Sequence, residues 1–450
     1  MIGTHSISDA RISLPSFEQL IRVLTLEDYN TRVVVLGVMA LGTAAGLVGT
    51  FLLLRKRALT ADALSHATLP GIAIAFMVMV AFGSDGKSLL GLLIGAFVFG
   101  CIGVLCILGI RHTTRLKDDA AIGIVLSVLF GFGLCLLRIA MELPNGSVAG
   151  LNGFIFGKAS AMVASDAITM GVVAVSIAFI TTILHKEWTL LCFDEKFGST
   201  QGWPVLWLDI ILMVMVAVVT VIALQSVGLV LAVAILIIPA ASARYWTTKI
   251  TSMLIAGATI GCLSGWLGAV VSALVPRMPT GPVIVLICGL WFIFSFIAGP
   301  KDGLIMRHLL RLRLNSRIAK QHILRAMWEV CEANSGSEFT LDSIVYVRSW
   351  NKRTVIRLLK KVSKLHYVTR VSSTRWLLTD IGSAEASRVV RNHRLWEMYL
   401  ITYADIAPSH VDRDADMIEH VLGRDLVAKL ESLLDATKSP QSPHEIEVQV

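Results

Sequence analysis

The amino-acid sequence predicts an all-α polytopic membrane bundle of eight or nine transmembrane helices, followed by a soluble, largely helical C-terminal unit. Three observations carry that prediction. Apolar residues make up 55% of the 450 and charged ones only 16%, for a mean hydropathy of +0.72. Between Val33 and Ala298 the chain is a succession of apolar runs, most of them near the length of about 20 residues that a bilayer crossing requires. From Arg307 onward charged residues become dense. Two soluble domains would not divide composition in this way, so the first part reads as membrane-embedded and the second as aqueous.

The elements follow in chain order. Residues 1–32 form a polar segment with Asp9, Glu18, Glu27 and Asp28. It lacks the basic, apolar, small-residue progression of a cleaved signal, and the first apolar run is too long for one. The membrane domain, 33–306, holds apolar runs at 33–54, 62–82, 88–110, 120–141, 165–185, 206–224, 228–246, 252–275 and 281–298. The block 206–246 is broken only by Gln225-Ser226-Val227-Gly228, which reads as a tight hairpin; assigning that block or 147–161 differently gives eight spans instead of nine. Bases collect in alternate loops: Arg55–Arg57, Arg111–Lys117, Lys186–Lys196, Arg244–Lys249 and Lys301–Arg317. The loops between them hold few, such as Lys87, Lys158 and Arg277. The positive-inside rule then places the N-terminus outside and the C-terminal unit in the cytoplasm, on a cell inner membrane. The spacings Gly42-x3-Gly46 and Gly257-x3-Gly261 suit close helix approach. Seven cysteines without a CxxC, most of them inside apolar runs, read as small packing residues.

Asp62 and His66 stand out at the head of the second run. At i and i+4 they share one helix face. A carboxylate at bilayer depth costs about 2.5–3.5 kcal/mol on insertion scales, so such groups usually face a protein-lined path. An oxygen and a nitrogen ligand together suit a divalent ion such as Zn, Mn or Fe. The competing reading is local: Asp62 caps the helix after Arg57 and His66 satisfies a helix partner.

Several blocks around this pair, taken in order, resemble the integral membrane subunit of ATP-driven (ABC-type) uptake systems for manganese, zinc or iron. They are Leu53–Gly71, Lys117–Ser127, Leu151–Gly157, Val227-Gly228 with Ile235–Ala243, and Pro279–Pro282. The resemblance spans about 33–306, with Ala61 in place of the family's usual glycine. It implies that Asp62 and His66 serve metal passage. It also implies a partner ABC ATPase, an extracytoplasmic metal-binding protein, and pairing with a second copy or a related permease. No GxxxxGK[ST] loop is present, so the chain is expected to be a translocation subunit and not an enzyme. The expected ATPase contact is 193–203, with Phe193, Asp194, Phe197 and Gly202; the alternative there is an interfacial loop anchored by Trp188 and Trp203.

A basic tether, 307–317, leads to the second unit. Ile318–Ala333, Leu341–Val347 (N-capped by Thr340) and Asn351–Leu365 read as helices. Tyr367–Val371 and Thr374–Thr379 read as a β-wing, so 318–380 forms a winged helix-turn-helix. From Ser343 to Thr379 there is no acidic residue among nine bases, the footprint of phosphate contacts. Asn351, Lys352, Arg353 and Arg357, at the start of the recognition helix, are the candidate DNA contacts. The alternative is a solvated basic face beside an anionic leaflet.

Arg391–Leu400 and Asp414–Leu422 resemble the dimerisation and metal-binding helices of repressors of the diphtheria-toxin-repressor and manganese-repressor type, placing such a segment at 381–436. Asp416, Glu419 and His420 lie at i, i+3 and i+4, and His393 is a plausible fourth ligand from the helix before. The ligands that this family draws from its first helix fall on Gln321 and Leu324, and leucine cannot ligate. Metal sensing and a purely structural role both stay open. The expected function is a metal permease fused to a metal-responsive DNA-binding repressor, with the divalent ion as substrate and co-repressor. Cleavage in the tether around His308–Ile318 would free the repressor for operator DNA. The alternative C-terminal role is a regulatory or ATPase-contacting module that never touches DNA. Residues 437–450, with their Ser and Pro, read as a disordered tail.

Overall fold

The computed structural model describes residues 17–83, 88–142, 162–275, 278–334, 336–348, 350–372, 374–403, 428–430 and 432. It divides into two compact units, 1–307 and 308–450.

Among the described residues of the first unit every regular element is a helix: α1 (Phe17–Leu24), α2 (Tyr29–Leu54), α3 (Ala58–Ala81), α4 (Leu89–Thr113), α5 (Asp118–Met141), α6 (Ala164–Ile183), α7 (His185–Phe193), α8 (Glu195–Thr200), α9 (Val205–Val227), α10 (Leu229–Arg244), α11 (Ile250–Leu274) and α12 (Thr280–Ala298). Eight of these helices, α2–α6, α9, α11 and α12, are long and apolar enough to cross a membrane. Their outward faces carry large apolar side chains such as Ile94, Leu105, Val128, Val175 and Leu286, all exposed. Water would not tolerate that band; lipid does.

The ninth apolar run forms α10. Its 16 residues span about 24 Å at 1.5 Å per residue, short of the hydrocarbon thickness of about 30 Å. Gly228, at φ +92°, joins α9 directly to α10. That backbone conformation is open to glycine and strained for other residues, so the hairpin turns on one residue instead of a loop. Near its end, Val221 of α9 packs with Phe76, Leu92 and Ala140 at one side of the bundle. At the finish of α10, Tyr245 meets Phe292 and Phe296 of α12 and accepts from the Lys301 amide at 3.1 Å. Thus α10 returns across the bundle. Eight of the described helices have full crossing length, and α10 is a shorter apolar helix among them.

The centre of the unit is α2, whose inner face from Val35 to Leu52 is buried. Its glycines meet those of α11 backbone to backbone. A Cβ on Gly42 would overlap the carbonyl of Gly261, and one on Gly46 the carbonyl of Gly257. Each small-residue spacing in the sequence is therefore one half of a single antiparallel seam. Gly49 meets the Leu236 carbonyl of α10 in the same manner.

The second unit contains all but the first four residues of α13 (Leu304–Ala333), then β1 (Glu338–Thr340), α14 (Leu341–Arg348), α15 (Lys352–Ser363), β2 (Val368–Arg370), β3 (Arg375–Leu378) and α16 (Asp380–Tyr403). The strands form an antiparallel sheet in the order β1-β3-β2. Glu338 pairs with Leu377, and Val368 with Leu378. Ile323, Met327, Ile344, Val355, Leu359, Trp376 and Val389 close one core. The winged helix-turn-helix expected from sequence is present, with β1 as a third strand. The basic segment 307–317 belongs to the helix α13, which runs 30 residues without a glycine or proline to stop it.

Candidate functional site

Asp62 and His66 project from the second turn of α3 onward. His66 Nε2 lies 3.5 Å from Asp62 Oδ1, and the two side chains keep 20% and 39% of their surface. The imidazole stands edge-on to Phe130 of α5 at 4.6 Å. Asp62 is not a cap: α3 begins at Ala58 with Arg57 in the N-cap position. Among the described residues no third His, Cys, Asp or Glu completes a metal cluster. The pair offers one oxygen and one nitrogen on a partly open helix face.

At the end of the bundle where α3 begins lies a feature that the sequence reading missed. Asp209, only 2% exposed, faces three guanidinium groups: Arg55 and Arg57 Nη1 at 2.8 Å and Arg111 Nη1 at 3.0 Å. Glu195 of α8 binds Arg111 at 2.8 Å and Arg55 at 3.0 Å. Asp118 at the head of α5 binds Arg57 at 3.2 Å and Arg111 at 3.4 Å. Three cations and three carboxylates balance. Burial pushes the Arg55 guanidinium below its ordinary value, against Asp209. Burial acts on Arg57 as well, but there Asp209, then Asp118 and Glu195, outweigh it and the pKa rises. The cluster fixes the α2–α3 turn, one turn before Asp62, to α4, α5, α8 and α9. The available signal was a lone carboxylate inside the apolar run 206–224.

Beside this cluster the side chains of Phe193 and Phe197 are exposed. Asp194 Oδ1 accepts the Phe197 amide at 2.8 Å and caps α8. Gly202 takes a positive φ of +81° in the turn that follows. Trp188 is no surface anchor: it is buried against Phe51 at 5.2 Å, and its Nε1 donates to the Leu208 carbonyl at 3.1 Å. Trp203 is exposed.

In the second unit Asn351 is the N-cap of α15, its Oδ1 accepting the Arg353 amide at 3.0 Å. Lys352 pairs with Asp342 at 2.8 Å. Arg353 and Arg357 are exposed one turn apart, opposite the buried Val355, Leu359 and Val362. Asn351 and Lys352 are exposed beside the two arginines, so all four lie on the outward side of the start of α15.

His393 of α16 is 1% exposed. Its Nδ1 lies 3.0 Å from Arg325 Nη1 of α13, and its Nε2 lies 3.0 Å from Glu397 Oε1. Arg325 Nε donates to Glu329 Oε1 at 2.7 Å, and Arg394 pairs with Glu332. Leu324, one of the two family ligand positions, is wholly buried in the core. Asp416, Glu419 and His420 lie outside the described residues. The described part of this site does not fit a divalent ion, because a guanidinium already stands among its carboxylates and its imidazole.

Residues 27–299 match the model of the ABC 3 transport family. Residues 379–447 match that of the iron dependent repressor, metal binding and dimerisation domain. The manganese transport system membrane protein MntC of Bacillus subtilis (strain 168) is 35% identical over 391 residues, 87% of this chain and 88% of that protein. The zinc transport system membrane protein TroC of Treponema pallidum (strain Nichols) is 39% identical over 64% of this chain and 95% of its own length. Among solved structures, PsaBC from Streptococcus pneumoniae in complex with Fab aligns with a TM-score of 0.55 at 31% identity, covering 66% of this chain and all of that one.

Proposed function

The chain belongs to the ABC 3 transport family, and from that premise we propose that it is the permease of an ATP-driven importer of a divalent metal: manganese, zinc or iron. The observation that carries the reading is the Asp62–His66 pair, set on one face of α3. The ion is substrate. A carboxylate oxygen and an imidazole nitrogen replace part of its hydration, and two protein ligands hold it loosely enough to let it go. Hydrolysis belongs to a partner ATPase, which docks on the exposed rings of Phe193 and Phe197. Glu195 and Asp209 carry the resulting movement to the base of α3. The opposite end of the bundle, where Asn30, Thr31, Ser272 and Thr280 line a cleft of about 490 Å³, faces the extracytoplasmic metal-binding protein. A second permease completes the transporter.

The test is initial metal uptake in cells that lack other importers, at matched protein level. Asp62→Ala and His66→Ala are each expected to lower it about tenfold or more, the scale on which metal sites respond to lost groups. Unchanged uptake in both variants would remove the assignment.

The C-terminal unit, whose repressor-like class the family match supports, is proposed to be cytoplasmic and to bind operator DNA through Arg353 and Arg357 at the head of α15. Removing each arginine should weaken DNA retention and reduce the salt-dependence slope by about one. Retention by neither parent nor variants would favour a regulatory module that contacts only protein. Proteolytic release would need α13 to unwind first, since residues 308–318 are helical and proteases act on locally opened chain. An immunoblot against the C-terminus that shows only full-length chain, whatever the metal supply, would rule release out.

A further inference from the structure

Arg325, Glu329, His393 and Glu397 share one buried site between α13 and α16. An arginine is charged at any physiological pH, and its N–H groups can only donate. The 3.0 Å contact from Arg325 Nη1 therefore occupies the lone pair of His393 Nδ1. The proton of the neutral ring then sits on Nε2, which lies 3.0 Å from Glu397 Oε1 without a hydrogen bond to it. Neither ring nitrogen has a lone pair left for a metal. On its other flank Arg325 holds Glu329 at 2.7 Å. A divalent ion entering here would share two carboxylates with a fixed positive charge at close range, and in a buried site that repulsion is large.

We propose that the Arg325 guanidinium takes the place of the regulatory metal, joining α13 to α16 as a built-in cation, so that the repressor-like unit is held in its arrangement without a divalent ion on His393. Glu329 neutralises the cation, and His393 accepts from it. The permease half handles the metal, while this half does not read it through His393. The inference rests on the repressor-type segment matched at 379–447 and is independent of whether that segment binds DNA.

The experiment uses the full chain in detergent with Asp62→Ala and His66→Ala, so that the membrane pair contributes nothing. Co2+ is followed by its visible absorption and Mn2+ by titration calorimetry. With Arg325 present, His393→Gln and His420→Ala are expected to leave both the Co2+ spectrum and the Mn2+ stoichiometry unchanged. Arg325→Ala, if folded, is expected to gain one Co2+ site per chain, bound at least about tenfold more tightly than by the Arg325 chain, and to lose it again when His393→Gln is added. A metal site in the Arg325-containing chain that vanishes with His393→Gln or His420→Ala would overturn the proposal, as would a folded Arg325→Ala chain that gains no site. The first comparison keeps Arg325 and decides the matter even where Arg325→Ala does not fold. Since no arm reads DNA, loss of the DNA-binding reading would leave this result intact.

Discussion

Replacing Asp209 with alanine is expected to unfold or severely destabilise the membrane unit. The carboxylate meets three guanidinium groups, and removing it leaves buried positive charges facing each other with two carboxylates for three cations. Breaking a buried ion pair by deleting one partner costs about 3–5 kcal/mol, and here the deleted partner serves three. Thermal unfolding of the purified chain in detergent should show a large fall in midpoint. Asp119→Ala, in an exposed position next to Asp118, should stay within about 0.5 kcal/mol. The double variant Arg57→Met/Asp209→Leu should lose less than the sum of its parts, because it also removes one of the charges that Asp209 neutralises. An Asp209→Ala chain as stable as the parent would mean that the cluster is solvated in the membrane and contributes little.

The second large effect concerns the seam between α2 and α11. Gly46→Val puts a branched side chain where the Gly257 carbonyl stands, and the neighbour is backbone that cannot rotate away. The helices must separate, giving up contacts along the seam. Overpacking in a filled core costs about 1–3 kcal/mol and at times more, and an obstruction by backbone belongs at the upper end. Gly171→Ala is the contrasting case: nothing lies within 4 Å of its Cβ position, and a mid-helix glycine is about 0.5–1 kcal/mol worse than alanine. It should stabilise α6 slightly. Two glycines in the same bundle thus give changes of opposite sign, readable in one set of melting curves; a fall for both would undo the argument.

Much of the membrane fold could be read before any coordinates, because a bilayer demands long apolar helices and hydropathy reports them directly. The break at Gln225–Gly228 was visible as four residues in an apolar block. Both halves of the glycine seam were visible as spacings, although nothing in the spacing says which two meet. Single charges hid better. Asp209 is one letter in an apolar run, and its partners lie 98 to 154 positions away in sequence (Arg111, Arg57 and Arg55), a separation that no local pattern encodes. In the second unit the ligand positions carried over from the repressor family fell on Gln321 and Leu324, and the side chain that reaches His393 is the next one, Arg325. One residue along a helix is about 100° of rotation, enough to exchange a core leucine for the group that decides the chemistry. β1, three residues long, is too short for periodicity to show.

The glycine contacts have a mechanical consequence. Where two helices touch through backbone alone, no rotamers remain to be exchanged, and sliding or prying them apart meets atoms that cannot yield. α2 is welded in this way to α11 and to α10, while a separate weld joins α3 to α4 where Gly71 and Gly95 meet. The membrane unit thus has two backbone-to-backbone seams within one core, with Asp62 and His66 on the helix of the second and Asp209 pinning the turn before that helix. Sliding along either seam would drive carbonyl oxygens into facing backbone, so α3 and α4 keep their register, as do α2 and α11.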